Sequence, residues 1–213
     1  ASKRVDYFIA NSQNTANRIV KYYKSKAEVI YPGIDTSKFY LSEKKDFYLY
    51  VGRVIPYKKF DLIVDTFNKN GKPIVIVTNT LNKLQKELKA KSNSNIVWKE
   101  NISSENLHKL YSEAKAFLFP PEEDFWLVPI EAMASGTPVI AYHKWGATET
   151  VVENETGIFF ESQSVRSLSN AIEKFEEMSF DSEKIRQYAL KFDKTIFQEN
   201  IYNFVKEKIK SNS

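Results

Sequence analysis

Two glutamates in one short segment are the residues of this 213-residue chain best suited to chemistry. Glu123 and Glu131 stand eight positions apart within the stretch Phe119–Ala141, and the residues between them lead to Pro129. Because a proline needs no N–H partner at the start of a helix, the pattern predicts a helix whose first residue is Pro129. Glu131 then lies in the first helical turn, and Glu123 lies ahead of the helix.

The start of this helix supplies a place for phosphate. The free backbone amides from Trp126 to Val128, backed by the helix dipole, form an anion site. Carboxylates accept hydrogen bonds from hydroxyl groups, so the segment suits a ligand with hydroxyls at both ends and phosphate in the middle, such as a nucleotide sugar. On spacing alone, two plainer interpretations stay open: Glu131 as a favourable charge near the helix dipole, and Glu123 as a surface-loop acid.

A pair of basic residues forms a second candidate group. Arg53 and Lys58 stand five apart in the stretch Val51–Asp61, across a predicted strand end and helix start. Gly52 allows the chain to turn tightly, and Pro56 stiffens the loop. An arginine fork and a lysine point charge together suit a diphosphate. Taken alone, the same residues fit a solvated basic loop better, and the combination with the Glu123–Glu131 segment reverses that preference.

The elements that position these groups follow from an alternation of short apolar strands and amphipathic helices. This alternation indicates βαβ units and a parallel sheet with helices on both faces. We predict an α/β fold with a Rossmann-like, doubly wound parallel sheet and a helical C-terminal tail. Ligands bind such sheets at the carboxyl ends of the strands. Polar candidates follow four predicted strands: Gly52 and Arg53 after 47–51, Asn79 and Thr80 after 73–78, Asn101 after 96–98, and Pro120 to Glu123 after 116–119.

Composition narrows the class of protein. The chain is 42% hydrophobic and 27% charged, which is ordinary for a globular protein. It has no cysteine, which excludes disulfides and thiolate chemistry and fits a reducing compartment. The formal net charge of +4 is spread along the chain without a polybasic block, and no apolar run approaches the ~20 residues of a membrane span. We predict a cytoplasmic protein with no nucleic-acid partner and at most peripheral contact with the inner face of a membrane.

Several motifs together resemble a known family. They are Gly52-Arg53 with Lys58, Glu123-x7-Glu131-Ala-Met-Ala-Ser-Gly-Thr-Pro-Val-Ile-Ala, Gly146-Ala-Thr-Glu-Thr-Val and Gly157-Ile-Phe-Phe. The set is similar to the C-terminal half of GT-B glycosyltransferases, and specifically to the retaining family GT4. That family includes mannosyl- and glucosyltransferases of polysaccharide and glycolipid assembly. The similarity runs from about Val5 to Phe204, nearly the whole chain.

The resemblance implies roles for the candidate residues. Arg53 and Lys58 would neutralise the donor diphosphate as it leaves, and Glu123 would hold the transferred sugar. Such enzymes need no bound metal, because cations and a helix end do the electrostatic work. Retention in this family is explained by front-face attack within an ion pair, so we expect no residue to act as a covalent nucleophile. The donor-binding set would be Gly52, Phe125, Trp126, Leu127, Val128 and Glu131, with Glu131 on the ribose.

The resemblance also implies substrates. The donor would be a nucleotide sugar, with GDP-mannose as the first expectation and a UDP-sugar as the second, and no further cofactor is expected. The acceptor would be a glycan or a lipid-linked sugar. Two other interpretations stay open: a non-catalytic or degenerate nucleotide-sugar-binding module, and an α/β interaction protein without a sugar ligand.

Four positions depart from the pattern of the family. Trp126 stands where the family has glycine, and Trp145 replaces the first of two glycines. Asn79-Thr80 stands where a glycine-rich turn is common, and Lys59 stands where glycine often follows the lysine. These changes predict a narrowed or reshaped donor pocket.

We expect three segments in the chain. Residues 1–30 would be a remnant of an N-terminal acceptor domain and its crossover, because residue 1 is Ala and a strand pattern starts already at Val5. Residues 31–192 would form the nucleotide-sugar-binding domain. Residues 193–213 would be a C-terminal helix that packs back on the missing domain. Without that domain, we expect the chain to bind donor but to transfer sugar poorly or not at all.

Overall fold

The computed structural model describes residues 4–211, so residues 1–3 and 212–213 of the predicted terminal segments lie outside its description. The strands within it are β1 Phe8–Ala10, β2 Ala27–Val29, β3 Tyr48–Val51, β4 Ile74–Thr78, β5 Ile96–Glu100, β6 Ala116–Phe119, β7 Val139–Tyr142 and β8 Gly157–Phe160. The helices are α1 Gln13–Tyr23, α2 Phe60–Asn70, α3 Lys83–Ala90, α4 Ser104–Glu113, α5 Leu127–Ala134, α6 Ala147–Thr150, α7 Val165–Glu176, α8 Ser182–Ala189 and α9 Lys194–Ser211.

Six strands form one parallel sheet in the order β5-β4-β3-β6-β7-β8. The chain therefore winds outward from β3 in one direction and from β6 in the other, which confirms the predicted doubly wound α/β fold. The register of these two central strands covers only Tyr48–Ala116 and Leu49–Phe117. Their carboxyl ends are not paired with each other, and a crevice opens there.

Helices cover both faces of this sheet. Along β3, Tyr48 and Tyr50 pack into one core with α2, α3 and α7, whereas Leu49 packs into a second core with α4, α5 and α8. All three side chains are buried. Burial on both faces explains why this strand is apolar at successive positions rather than at alternate ones.

Local sequence signals set several helix ends. Ser12 caps α1 by accepting from the amide of Thr15, and Ser103 caps α4 by accepting from the amide of Asn106. Gly71 ends α2 in the left-handed conformation that glycine adopts without strain.

A small second sheet stands apart from the large one. Strands β1 and β2 pair in parallel with each other, and β1 is shorter than the predicted strand from Val5. Helix α9 reaches this sheet, where the rings of Tyr7 and Phe204 lie 6.3 Å apart, edge to face. No helix within residues 4–211 has both the length and the apolar character that crossing a membrane requires.

Candidate functional site

The crevice at the carboxyl ends of β3 and β4, next to the split between β3 and β6, is the candidate site. It has a volume of about 320 Å³. Gly52, Arg53 and Lys58 line it from the β3 side, Asn79 lines it from the end of β4, and Trp126 closes it from the β6 side. In doubly wound sheets, the point where the winding direction reverses is where ligands bind. The structure thus brings four residues of the predicted site to that point.

The predicted start of α5 is wrong. The helix begins at Leu127, with Trp126 as the residue before it, so Pro129 is the third helical residue. A proline is accommodated there because the first four N–H groups of a helix lack intrahelical partners. Glu131 consequently lies in the second turn and not in the first. The side chain of Trp126 makes no capping hydrogen bond, which leaves the first-turn amides available to an anion.

Lys58 is held in a buried position by its local turn. Residues Pro56–Lys58 form a 3₁₀ turn, and the carbonyl of Lys58 accepts a hydrogen bond from the buried hydroxyl of Tyr50. The side chain of Lys58 is only 5% exposed, and its ammonium forms an ion pair with Glu123 Oε1. Burial lowers the pKa of Lys58, and the hydrogen bond to Glu123 works in the opposite direction. Glu123 is thus part of the site through this lysine.

Trp126 covers the same ammonium. The centre of its indole lies 3.3 Å from Lys58 Nζ, and its ring centre lies 5.2 Å from that of Phe119. A Cβ atom added to Gly52 would lie 3.4 Å from the indole Cη2. The indole therefore spans the crevice from β6 to the loop after β3. The glycine-to-tryptophan departure noted in the sequence lies directly at the predicted diphosphate cation.

Arg53 lies at the mouth of the crevice, exposed to solvent. The loop that carries it is pinned at the next residue: the amide of Val54 donates to Thr80 Oγ1 at 3.1 Å, and its carbonyl accepts from Asn82 Nδ2 at 2.8 Å. Sequence reasoning missed this support. The only signal for it was the helix-capping pattern at Asn82, which also caps α3.

Glu131 lies beside the crevice rather than among its lining residues. The hydroxyl of Tyr111, a fully buried residue of α4, donates a hydrogen bond to Glu131 Oε2. Burial raises the pKa of Glu131, and the hydrogen bond from Tyr111 lowers it in part. The pairing with Tyr111 was not predicted, because nothing in the spacing links the two residues.

The remaining predicted donor-binding residues belong to the start of α5. Phe125 stacks on Tyr31 with ring centres 5.5 Å apart, and it packs with Leu127 and Val128 against the core beneath the helix. Their half-buried side chains therefore support the helix start.

Two carboxylates hold helix α1 in place: Asp124, on the loop that carries Glu123, and Glu149, on α6. Asp124 accepts hydrogen bonds from Asn14 Nδ2 at 2.6 Å and from Arg18 at 2.7 Å. Glu149 accepts from the backbone amides of Gln13 at 2.7 Å and of Asn14 at 3.0 Å. These contacts, which we call the α1 clamp, join residues more than 100 positions apart in sequence, and sequence reasoning missed them.

Two positions that depart from the family's glycines keep a glycine-like backbone. Lys59 has a φ of 60° and Trp145 has a φ of 57°, in the left-handed region that side chains disfavour. The next residue, Gly146, donates its amide to the Glu123 carbonyl at 2.9 Å, and a Cβ there would collide with the Asp124 carbonyl. The backbone geometry of the glycine pattern is therefore retained where its residues are not.

Comparison with known proteins gives one family. The family "Glycosyl transferases group 1" matches residues 34–192. The chain is 28% identical to an uncharacterized glycosyltransferase of Methanocaldococcus jannaschii, over 81% of this chain and 50% of that protein. It is 26% identical to the O-antigen chain mannosyltransferase RfbU of Salmonella typhimurium, over 96% of this chain and 61% of that protein. The chain thus spans about half to three-fifths of the length of these curated relatives.

A solved structure shows the same fold. Anabaena Alr3699/HepE, determined in complex with UDP and glucose, superposes with a TM-score of 0.81 at 19% identity. The match covers 95% of this chain and 63% of that one. The prediction of one half of a GT-B fold is confirmed by this likeness.

Proposed function

This chain belongs to the glycosyl transferases group 1 family, and from that premise we propose that it is the donor-binding domain of a hexosyltransferase. The enzyme would move a hexose from a nucleotide sugar to a glycan or lipid-linked acceptor, with retention. The observation that carries the proposal is the ion pair of Lys58 and Glu123 at the split between β3 and β6. A buried cation and a carboxylate meet there at the place where this fold binds ligands.

The diphosphate of the donor would lie between Arg53, Lys58 and the start of α5. Two cations and a set of helix amides stabilise the negative charge that grows on a leaving nucleoside diphosphate. The start of α5 is part of the folded helix before the ligand arrives, so its amides need little reorganisation during transfer. The arrangement supplies this stabilisation from protein groups, as the resemblance implies.

The carboxylates would bind the two ends of the donor. Glu131, fixed on one side by Tyr111, keeps acceptor capacity for the two hydroxyls of a ribose. Glu123 would accept hydrogen bonds from the hydroxyls of the transferred sugar while it holds Lys58. We propose mannose from GDP-mannose as the first donor, because RfbU and an alg-2 protein of Neurospora crassa, 41% identical over 30% of this chain, are named mannosyltransferases. A UDP-sugar is the second.

The acceptor would bind to a second domain. In this proposal, residues 1–30 belong to that domain and its crossover, residues 193–213 pack back on it, and the whole enzyme works in the cytoplasm with at most peripheral contact with the inner face of a membrane. The contact of Tyr7 with Phe204 supports a common role for the two terminal segments.

Calorimetry with GDP-mannose and UDP-glucose tests the proposal. Three charged or dipolar contacts give roughly 5 kcal/mol, which corresponds to a dissociation constant of about 0.1–1 mM. Arg53→Ala and Glu131→Gln should each weaken binding about 10-fold, whereas Lys86→Ala, an exposed change on α3, should not. Absence of binding by either donor and by GDP or UDP at millimolar concentration would overturn the proposal.

A nucleotide-sugar-binding module without transfer activity is the second candidate. The indole over Lys58 favours it, because a covered cation is poorly placed to neutralise a leaving group. It predicts donor binding without transfer even when an acceptor domain is present. Turnover of donor by such a two-domain protein would exclude it.

A further inference from the structure

The cation that should meet the diphosphate is already occupied. Lys58 Nζ lies 3.3 Å from the centre of the Trp126 indole and 5.2 Å from the centre of the Tyr57 ring, and it pairs with Glu123. The residue is 4% exposed, whereas Arg53 is exposed. Of the two predicted cations, only Arg53 is therefore open to an anion from solvent.

The face of the Trp126 indole takes the place of an anion beside the Lys58 ammonium. The face of an indole carries negative electrostatic potential and attracts an ammonium, most strongly where water is excluded. A phosphate oxygen that accepts a hydrogen bond from Lys58 must approach within about 2.9 Å of Nζ, in a region that the ring partly fills. Indole and phosphate consequently compete for one cation.

The side chain of Trp126, and not its backbone, creates this competition. Its φ of −136° and ψ of 135° lie in the extended region that any residue adopts and that suits the residue before a helix. A smaller residue at this position is compatible with the start of α5 and removes the cover over Lys58 together with the packing of the indole on Phe119. A Cβ atom added to Gly52 would touch the indole, so the ring extends across the crevice toward the loop after β3.

We propose that Trp126 is a specificity-determining residue, because its indole and a ligand diphosphate exclude each other at Lys58. An incoming nucleotide would meet Arg53 first and reach Lys58 only after the indole moves aside. The indole would thus lower the affinity for ligands with two phosphates. A nucleoside monophosphate, held by Arg53 and the start of α5 alone, would not be affected. This inference rests on the proposed function, because it concerns which ligands bind at that same site.

Paired titrations with GDP and GMP, repeated with UDP and UMP, test the inference. Trp126→Gly should bind the diphosphate about 10-fold more tightly than the natural chain, a change within the range of a desolvated cation–π contact, and should bind the monophosphate within about 2-fold. Trp126→Phe keeps a ring over the lysine and should resemble the natural chain. Trp145→Gly, which removes an exposed indole outside the lining of the crevice, is the matched control.

Fluorescence gives a reading that does not depend on how Trp126→Gly folds. A diphosphate should change the tryptophan emission of the natural chain, because Trp126 leaves its ammonium, and should not change that of Trp126→Phe. Equal or weaker diphosphate binding by a folded Trp126→Gly would overturn the inference and leave the proposed function standing. Failure of every variant to bind any nucleotide at millimolar concentration would overturn both.

Discussion

The hydroxyl of Tyr111 on α4 donates a hydrogen bond of 2.9 Å to Glu131 Oε2 on α5. A neutral hydroxyl, rather than a cation, thus holds the carboxylate that we assign to the ribose. Because burial raises the pKa of Glu131 and Tyr111 offsets only part of that effect, the charge is costly for the folded protein at neutral pH. The residue is arranged for binding at the expense of stability.

Glu131→Gln should stabilise the chain at neutral pH. The folded-state pKa of Glu131 lies above the unfolded value of about 4.5, so its charge opposes folding fully above that folded-state pKa, and the opposition fades as the pH falls from there to below 4.5. We expect the free energy of unfolding, measured with urea, to rise by about 1 kcal/mol at pH 7 and by less at pH 4. Nucleotide binding should become weaker. Glu122→Gln, an exposed neighbour, should change neither property. A loss of stability at pH 7 would contradict the assignment.

Tyr111→Phe should move the pH dependence of binding upward. Removal of the hydroxyl takes away the hydrogen bond that lowers the pKa of Glu131, so the carboxylate becomes protonated at a higher pH than in the natural chain. Nucleotide affinity should therefore begin to fall earlier as the pH is lowered from 7.5 to 5, and should be about 2- to 5-fold weaker at pH 7. Calorimetry over that range measures the shift. Tyr202→Phe, at an exposed position on α9, is the control and should leave the profile in place.

Lys59→Gly and Trp145→Gly should each stabilise the chain by about 0.5–1 kcal/mol. Both residues have a positive φ, which costs a side chain about 1–2 kcal/mol, and glycine gives back part of that gain through its freer unfolded state. Thermal unfolding should show two higher melting temperatures. Lys86→Gly, in the interior of α3, should instead lower the free energy of unfolding by about 1 kcal/mol. Destabilisation by both positive-φ variants would show that the side chains outweigh the backbone strain.

Within the α1 clamp, Asn14→Ala should lower the free energy of unfolding more than Arg18→Ala does. Asn14 is half-buried and donates to the Asp124 carboxylate at 2.6 Å, so its loss should cost about 1–2 kcal/mol. The Arg18 side chain is 52% exposed, and solvent screening should keep the cost of its removal below about 1 kcal/mol. Double-mutant cycles with Asp124→Ala measure both couplings. The reverse order would mean that charge dominates the clamp.

The fold could be predicted because its signals are local. The strand Ala116–Phe119 has the predicted bounds, Ser12 and Ser103 cap the starts of their helices, and Gly71 caps the end of α2. Each of these features depends on neighbours in sequence: an apolar run, a hydroxyl before a helix, or a residue that tolerates a positive φ. The parallel order of the strands then follows from the alternation of elements.

The finer geometry of the site depends on distant contacts. Pro129 predicted the helix but not its first residue, since a proline fits any of the first positions. Nothing in the spacing of Trp126 and Lys58 indicates that the indole covers the ammonium, because the two residues come from different loops at the split in the sheet. The positive φ of Trp145 could not be predicted from its own residue type, because a left-handed backbone is indicated by glycine and this position has none.

The α1 clamp also limits where the chain can be shortened. A version that starts at residue 34, the first residue of the family match, would retain Asp124 and Glu149 but lose Gln13, Asn14 and Arg18. Two carboxylates would then face water, and the loop with Glu123 would lose its lateral attachment. The family match therefore begins too late in the chain to include the contacts of the α1 clamp. A shortened chain that retains these contacts has to start before α1.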